Sequence, residues 1–117
     1  MAFDDLQQAR TKREVDEFIE QRRPPEEIRD EIDLGYRIDK TDQSVVIYEI
    51  RPHWKDPDET VQTRVARMKY VKSRDIWKLY WMRRDLKWHK YPPAPEVRSL
   101  QEAIEIVDED ERSCFWG

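Results

Sequence analysis

Across residues 32–91 apolar and polar side chains alternate in successive short blocks, and a period of two is the spacing of a half-buried β-strand. In the first block Ile32, Leu34, Tyr36 and Ile38 alternate with Asp33, Gly35, Arg37 and Asp39. The second, 45–51, is read with Val46, Tyr48 and Ile50 on one face and Glu49 and Arg51 on the other. The third, 63–71, sets Ala66, Met68 and Tyr70 opposite Val65, Arg67 and Lys69. The fourth, 76–82, sets Trp77, Leu79 and Trp81 opposite Lys78, Tyr80 and Met82. A short fifth, 87–91, stops at Pro92-Pro93-Ala94-Pro95, because proline has no amide to give to a ladder. Most connections are tight turns by composition: 39–44, 72–75 and Arg84-Asp85-Leu86. The exception is a long polar loop over 52–60, where Trp54 is expected to cap the core. Consecutive strands joined this way form an antiparallel meander.

Helical spacing brackets the sheet. Asp4 or Asp5 can cap a first helix reaching about Gln21, with Leu6, Ala9, Val15, Phe18 and Ile19 along one side. Pro24-Pro25 stops it, and Pro25 can open a short second helix. Ser99 with Glu102 forms a capping box for a last helix, whose apolar side is Leu100, Ala103, Ile104 and Val107. The expected fold is therefore α+β: an antiparallel meander sheet of about five strands, with N-terminal helices and a C-terminal helix packed on one face. A single domain over 1–117 is expected, with helices in 4–31, sheet in 32–91, and a C-terminal helix and aromatic tail in 96–117. Phe115 and Trp116 are costly to leave in water, so they are candidates to dock on the sheet or on a partner.

Composition narrows the rest. Charged residues make up 41%, yet 5 Trp, 5 Tyr and 3 Phe give enough buried area for a core. The acidic start Met1-Ala2-Phe3-Asp4-Asp5 does not read as a secretory signal, no apolar run is long enough to span a bilayer, and the lone Cys114 suits a reducing cytoplasm. A cytoplasmic, membrane-independent protein is the expectation. The formal net charge of -4 is unevenly spread: residues 51–90 carry 12 basic against 5 acidic side chains, between acidic ends. That basic middle can steer an anion, or the acidic helices can pack beside it and neutralise it.

The run Tyr48-Glu49-Ile50-Arg51-Pro52-His53-Trp54 and the block Ala66-Arg67-Met68-Lys69-Tyr70 resemble a bacterial family. So do Trp77-Lys78-Leu79-Tyr80-Trp81, Trp88-His89-Lys90-Tyr91 and the terminal Phe115-Trp116-Gly117. That family is the domain of unknown function 3024, and the similarity runs from about Val15 to Gly117. Its members usually carry another tryptophan where this chain has Val61 and Gln62, and often a glycine within 72–75. The resemblance implies a fold and signature positions, and no activity.

Catalytic signatures are absent. Two glycines exclude a phosphate-cradling glycine loop, and one cysteine with His53 and His89 cannot build a structural zinc site; no metal or other cofactor is expected. The candidate site is polar and lies on strands: Glu49, Arg51, Arg67, Lys69, Lys78, Tyr80 and His89 gather on one surface if the charged faces coincide. These residues can simply pair across strands, chiefly Glu49 with Arg67, or bind an anion through the arginine forks. The favoured function is a small non-enzymatic interaction module, self-associating or receiving a protein partner through its aromatic surface or through Phe115 and Trp116. Single-stranded nucleic acid on the basic face is the alternative, with Trp88, Tyr91 and Lys90 as further participants. A metal-dependent nuclease using Asp33, Glu49 and Lys69 comes last.

Overall fold

The computed structural model describes residues 4–116. Met1, Ala2, Phe3 and Gly117, the last residue of the terminal aromatic block, lie outside the described residues. The Asp4 carboxylate accepts the Gln7 amide at 2.7 Å and starts α1 (Asp5–Arg22), satisfying one of the amides that a helix leaves without a partner. α1 buries Thr11, Val15, Phe18 and Ile19. Leu6, assigned by spacing to the apolar side, is 78% exposed, so the buried stripe begins one turn later at Thr11. The chain leaves the helix at Arg23, ahead of Pro24, and the expected second helix is only a 3-10 turn, Glu26–Ile28.

Six strands follow: β1 (Asp33–Asp39), β2 (Ser44–Pro52), β3 (Thr60–Val71), β4 (Ile76–Met82), β5 (Trp88–Lys90) and β6 (Glu96–Val97). They pair antiparallel in the order β1-β2-β3-β4-β5, and β6 also pairs with β4. The edge beyond β4 is thus one strand interrupted by prolines. Leu79 shows how: its carbonyl accepts the Tyr91 amide at 2.9 Å and its amide donates to the Pro95 carbonyl at 3.1 Å. Residues 92–94 arch out between these two bonds. β6 has no periodic signature of its own because two residues are too few to show one.

α2 (Leu100–Glu109) is capped by Ser99, which accepts the Glu102 amide at 3.1 Å, while the Glu102 carboxylate accepts the Arg98 amide at 3.0 Å. The capping box is present with its return bond displaced by one residue. α1 and α2 lie side by side in parallel on one face of the sheet. Gln7 and Arg10 share a groove with Ser99 and Leu100, and Arg22 reaches Asp108 at the other end. Between helices and sheet lie Val15, Phe18, Leu34, Val45, Ile47, Met68, Leu79, Leu100, Ile104 and Val107.

The phase of β2 is opposite to the sequence reading. Val45 and Ile47 are fully buried, so Tyr48, Val46 and Ile50 face away from the helices, and Glu49 and Arg51 lie on the helix side. The reason is compositional: Val45, Val46, Ile47, Tyr48 and Ile50 are apolar at both phases, and only packing selects one. β3 adds a second irregularity. Ile47 is opposite Ala66 but Tyr48 is opposite Arg64, leaving Val65 as a bulged extra residue, 3% exposed.

The aromatic tail folds back on its own chain. Asp110 takes a left-handed φ of 44° and its carboxylate accepts the Phe115 and Trp116 amides at 3.0 and 2.8 Å. Phe115 packs on Tyr91 with ring centroids 4.8 Å apart, and the Trp116 indole donates to the Val107 carbonyl at 2.8 Å. The Arg22 guanidinium sits 4.1 Å above the Trp116 ring. Trp54 does the reverse of its expected role: it is 81% exposed at the tip of the β2–β3 hairpin, because that hairpin extends beyond the core it was expected to cap.

Candidate functional site

Strand register arranges the helix-free face in rows. One row across the sheet reads Arg37, Val46, Arg67, Tyr80 and Lys90. Beside it runs Asp39, Ser44, Lys69, Lys78 and Glu96. On the other side Gly35, Tyr48 and Arg64 lead toward the Met82–Trp88 pair. Side chains paired across a ladder point the same way, so these residues share one surface.

Three rings on this surface each carry a guanidinium. Arg37 lies 5.9 Å from the Tyr48 centroid, Arg67 lies 5.2 Å from Tyr80, and Arg64 lies 6.0 Å from Trp88. The rings are half-buried. Gly35 makes room for the first: a Cβ there would stand 2.7 Å from the Tyr48 ring.

Charge on the face is only partly compensated. Asp42, in the β1–β2 turn, pairs with Arg67, with Lys69 at 3.0 Å, and accepts from the Ser44 hydroxyl at 3.0 Å. Partial burial works against its charged form, but the bonds from Arg67, Lys69 and Ser44 outweigh it and hold the carboxyl down at about 2. Arg37, Arg64, Lys78 and Lys90 form no ion pair among the described residues. The helix carboxylates do not supply the neutralisation considered from the sequence. Glu14, Glu17, Glu105 and Asp108 line the outer groove between α1 and α2, on the far side of the molecule.

Of the residues grouped by sequence, Arg67, Lys69, Lys78 and Tyr80 come together here. Glu49 and Arg51 lie on the opposite side of the sheet and pair with each other at 3.1 Å, so no Glu49–Arg67 bridge exists. His89 is opposite Trp81, also on the helix side, and bonds to Asp85 at 2.7 Å; that bond holds the Asp85 carboxyl below its usual range. Tyr91 is 3% exposed and belongs to the core. The Asp33, Glu49 and Lys69 of the nuclease reading are dispersed: Arg23 grips Asp33 through two bonds of 2.8 Å, while Lys69 is on the other face from Glu49. Among the described residues no group of three or more His, Cys, Asp or Glu could hold a metal ion. Arg37, Tyr48 and Arg64 escaped the sequence reading. Arg37 alternates correctly in β1, but the phase of β2 and the bulge at Val65 hid their common surface.

A sequence model of the domain of unknown function 3024 (DUF3024) matches residues 3–117. The chain belongs to that family. No curated protein and no solved structure matches it. In this DUF3024 domain the blocks that carried the resemblance divide by role. Met68, Trp77, Leu79, Tyr91 and Phe115 build the core, whereas Tyr48, Arg67, Tyr80 and Trp88 lie on the open sheet face. No helix among the described residues is long and apolar enough to cross a membrane.

Proposed function

We propose that this DUF3024 domain binds single-stranded nucleic acid on its helix-free sheet face. The observation that carries the reading is the set of Tyr48, Tyr80 and Trp88, each beside a guanidinium, on a face where Arg37, Arg64, Lys78 and Lys90 form no ion pair among the described residues. Bases of any sequence can stack on such rings while Arg37, Lys78 and Lys90 follow the phosphates. The overall pI of about 5.3 does not oppose this, because the helix carboxylates face away from the sheet surface. The reading needs no metal or other cofactor, and we place the protein in the cytoplasm, where a lone cysteine stays reduced. Self-association through Phe115 and Trp116 is less favoured, since both are engaged within the chain.

Fluorescence anisotropy with labelled single-stranded DNA and RNA at low salt tests it directly. Tyr80→Ala and Trp88→Ala should each weaken binding by about 1–3 kcal/mol, the range for one base–ring stack. Absence of binding by the wild type at low salt would sink the reading.

A further inference from the structure

β3 is paired with β2 from Thr60 to Lys69, but β4 accompanies it only from Ala66 onward. Residues 60–64 are exposed, and their outward backbone groups have no strand opposite them among the described residues. The other sheet edges are defended in recognisable ways: β1 by Asp33, Arg37 and Asp39, and the β5–β6 edge by Pro92, Pro93 and Pro95. The run Thr60-Val61-Gln62-Thr63 has neither proline nor charge, and an unguarded edge of β-branched residues is a template for another strand.

We infer that this edge pairs with the same edge of a second copy of the chain, forming a two-fold dimer centred near Gln62. Antiparallel self-pairing about that residue sets Thr60 opposite Arg64 of the partner subunit and Val61 opposite Thr63 of the partner subunit. The charge pattern fits that occupant. Past Thr60 the arm continues into Glu59 and Asp58, and the register carries them toward the end of β4 in the facing copy. There the turn after β4 presents Arg83 and Arg84 beside an open cleft of about 510 Å³ lined by Trp81, Met82 and Asp85. Trp54, 81% exposed at the arm tip, arrives at the same end and supplies the apolar group for that cleft. A two-fold axis perpendicular to the sheet also puts both open faces on one side, so the surface assigned to nucleic acid doubles in length. The dimer itself does not depend on that assignment.

Sedimentation equilibrium of the full chain, without nucleic acid, from low micromolar to near-millimolar concentration, reads the association. A reversible monomer–dimer equilibrium is expected. Trp54→Ala should raise its dissociation constant by about tenfold or more, as for a buried tryptophan anchor. Arg83→Glu with Arg84→Glu should weaken it, and adding Asp58→Lys and Glu59→Lys to the same chain should restore it. All these side chains are exposed or at the rim of the cleft, so circular dichroism should show each variant folded. A wild type that stays monomeric over the whole range overturns the proposal. So does a dimer indifferent to Trp54→Ala and to the charge reversals, which would place the interface elsewhere. Failure to bind nucleic acid leaves these readouts unchanged, so the two ideas fail separately.

Discussion

Asp42 shows how one turn residue can govern a face it does not belong to. Its carboxylate compensates Arg67 and Lys69, and its folded value of about 2 lies below that of an unfolded aspartate. Stabilisation from this source is complete above the unfolded value and is lost as pH falls through the folded one. With allowance for solvent screening it amounts to about 1–2 kcal/mol. Asp42→Asn should therefore lower urea stability near neutral pH, and the gap to wild type should close between about pH 5 and pH 2. A gap that persists at the acid end would show the carboxylate charge is not the cause. Gly35 is a second informative residue. A methyl there meets only the outer atoms of the Tyr48 ring, which can swing away. Gly35→Ala should cost about 1 kcal/mol of stability, the low end for overpacking, yet weaken oligonucleotide binding by more. Equal losses in melting and in binding would refute that separation.

Among the elements, the tail and α2 act as one unit. Asp110 ends the helix in a left-handed turn and then receives the two amides that bring Phe115 onto Tyr91. Phe115 is 7% exposed, so its side chain is core although it lies at the end of the described chain. Phe115→Ala should destabilise by about 3 kcal/mol, the lower end for emptying a buried phenylalanine site, measured by chemical denaturation. A loss below a few tenths would mean the tail is not part of the cooperative unit. The strands were legible from residue order to within a few positions, because β1, β3 and β4 alternate strongly. β2 was legible as a strand but not in phase, since both its faces are apolar, and β6 was too short to register.

For the whole molecule, charge is unevenly placed: Glu14, Glu17, Glu105 and Asp108 line the outer helix groove, while Arg37, Arg67, Lys69, Lys78 and Lys90 outnumber Asp39, Asp42 and Glu96 at the open sheet face. Binding to a single strand should therefore fall steeply with salt. Lys90→Ala should reduce the slope of log affinity against log salt by about 0.7, the value for one phosphate contact. A slope unchanged by Lys90→Ala and by Arg37→Ala would remove these cations from the interface.

Residue order by itself determined the class of fold, the positions of the helix caps and the stop at Pro24-Pro25, because caps, turns and alternation are local chemistry. It also identified Arg67, Lys69, Lys78 and Tyr80, which alternate against core residues on their own strands. The tertiary structure alone decided that Tyr48, Arg37 and Arg64 join them and that Glu49, Arg51 and His89 do not. That choice depends on β2 burying Val45 and Ile47 under two helices and on β3 bulging at Val65. Alternation within a strand states which residues share a side; only packing against the rest of the chain states which side is in.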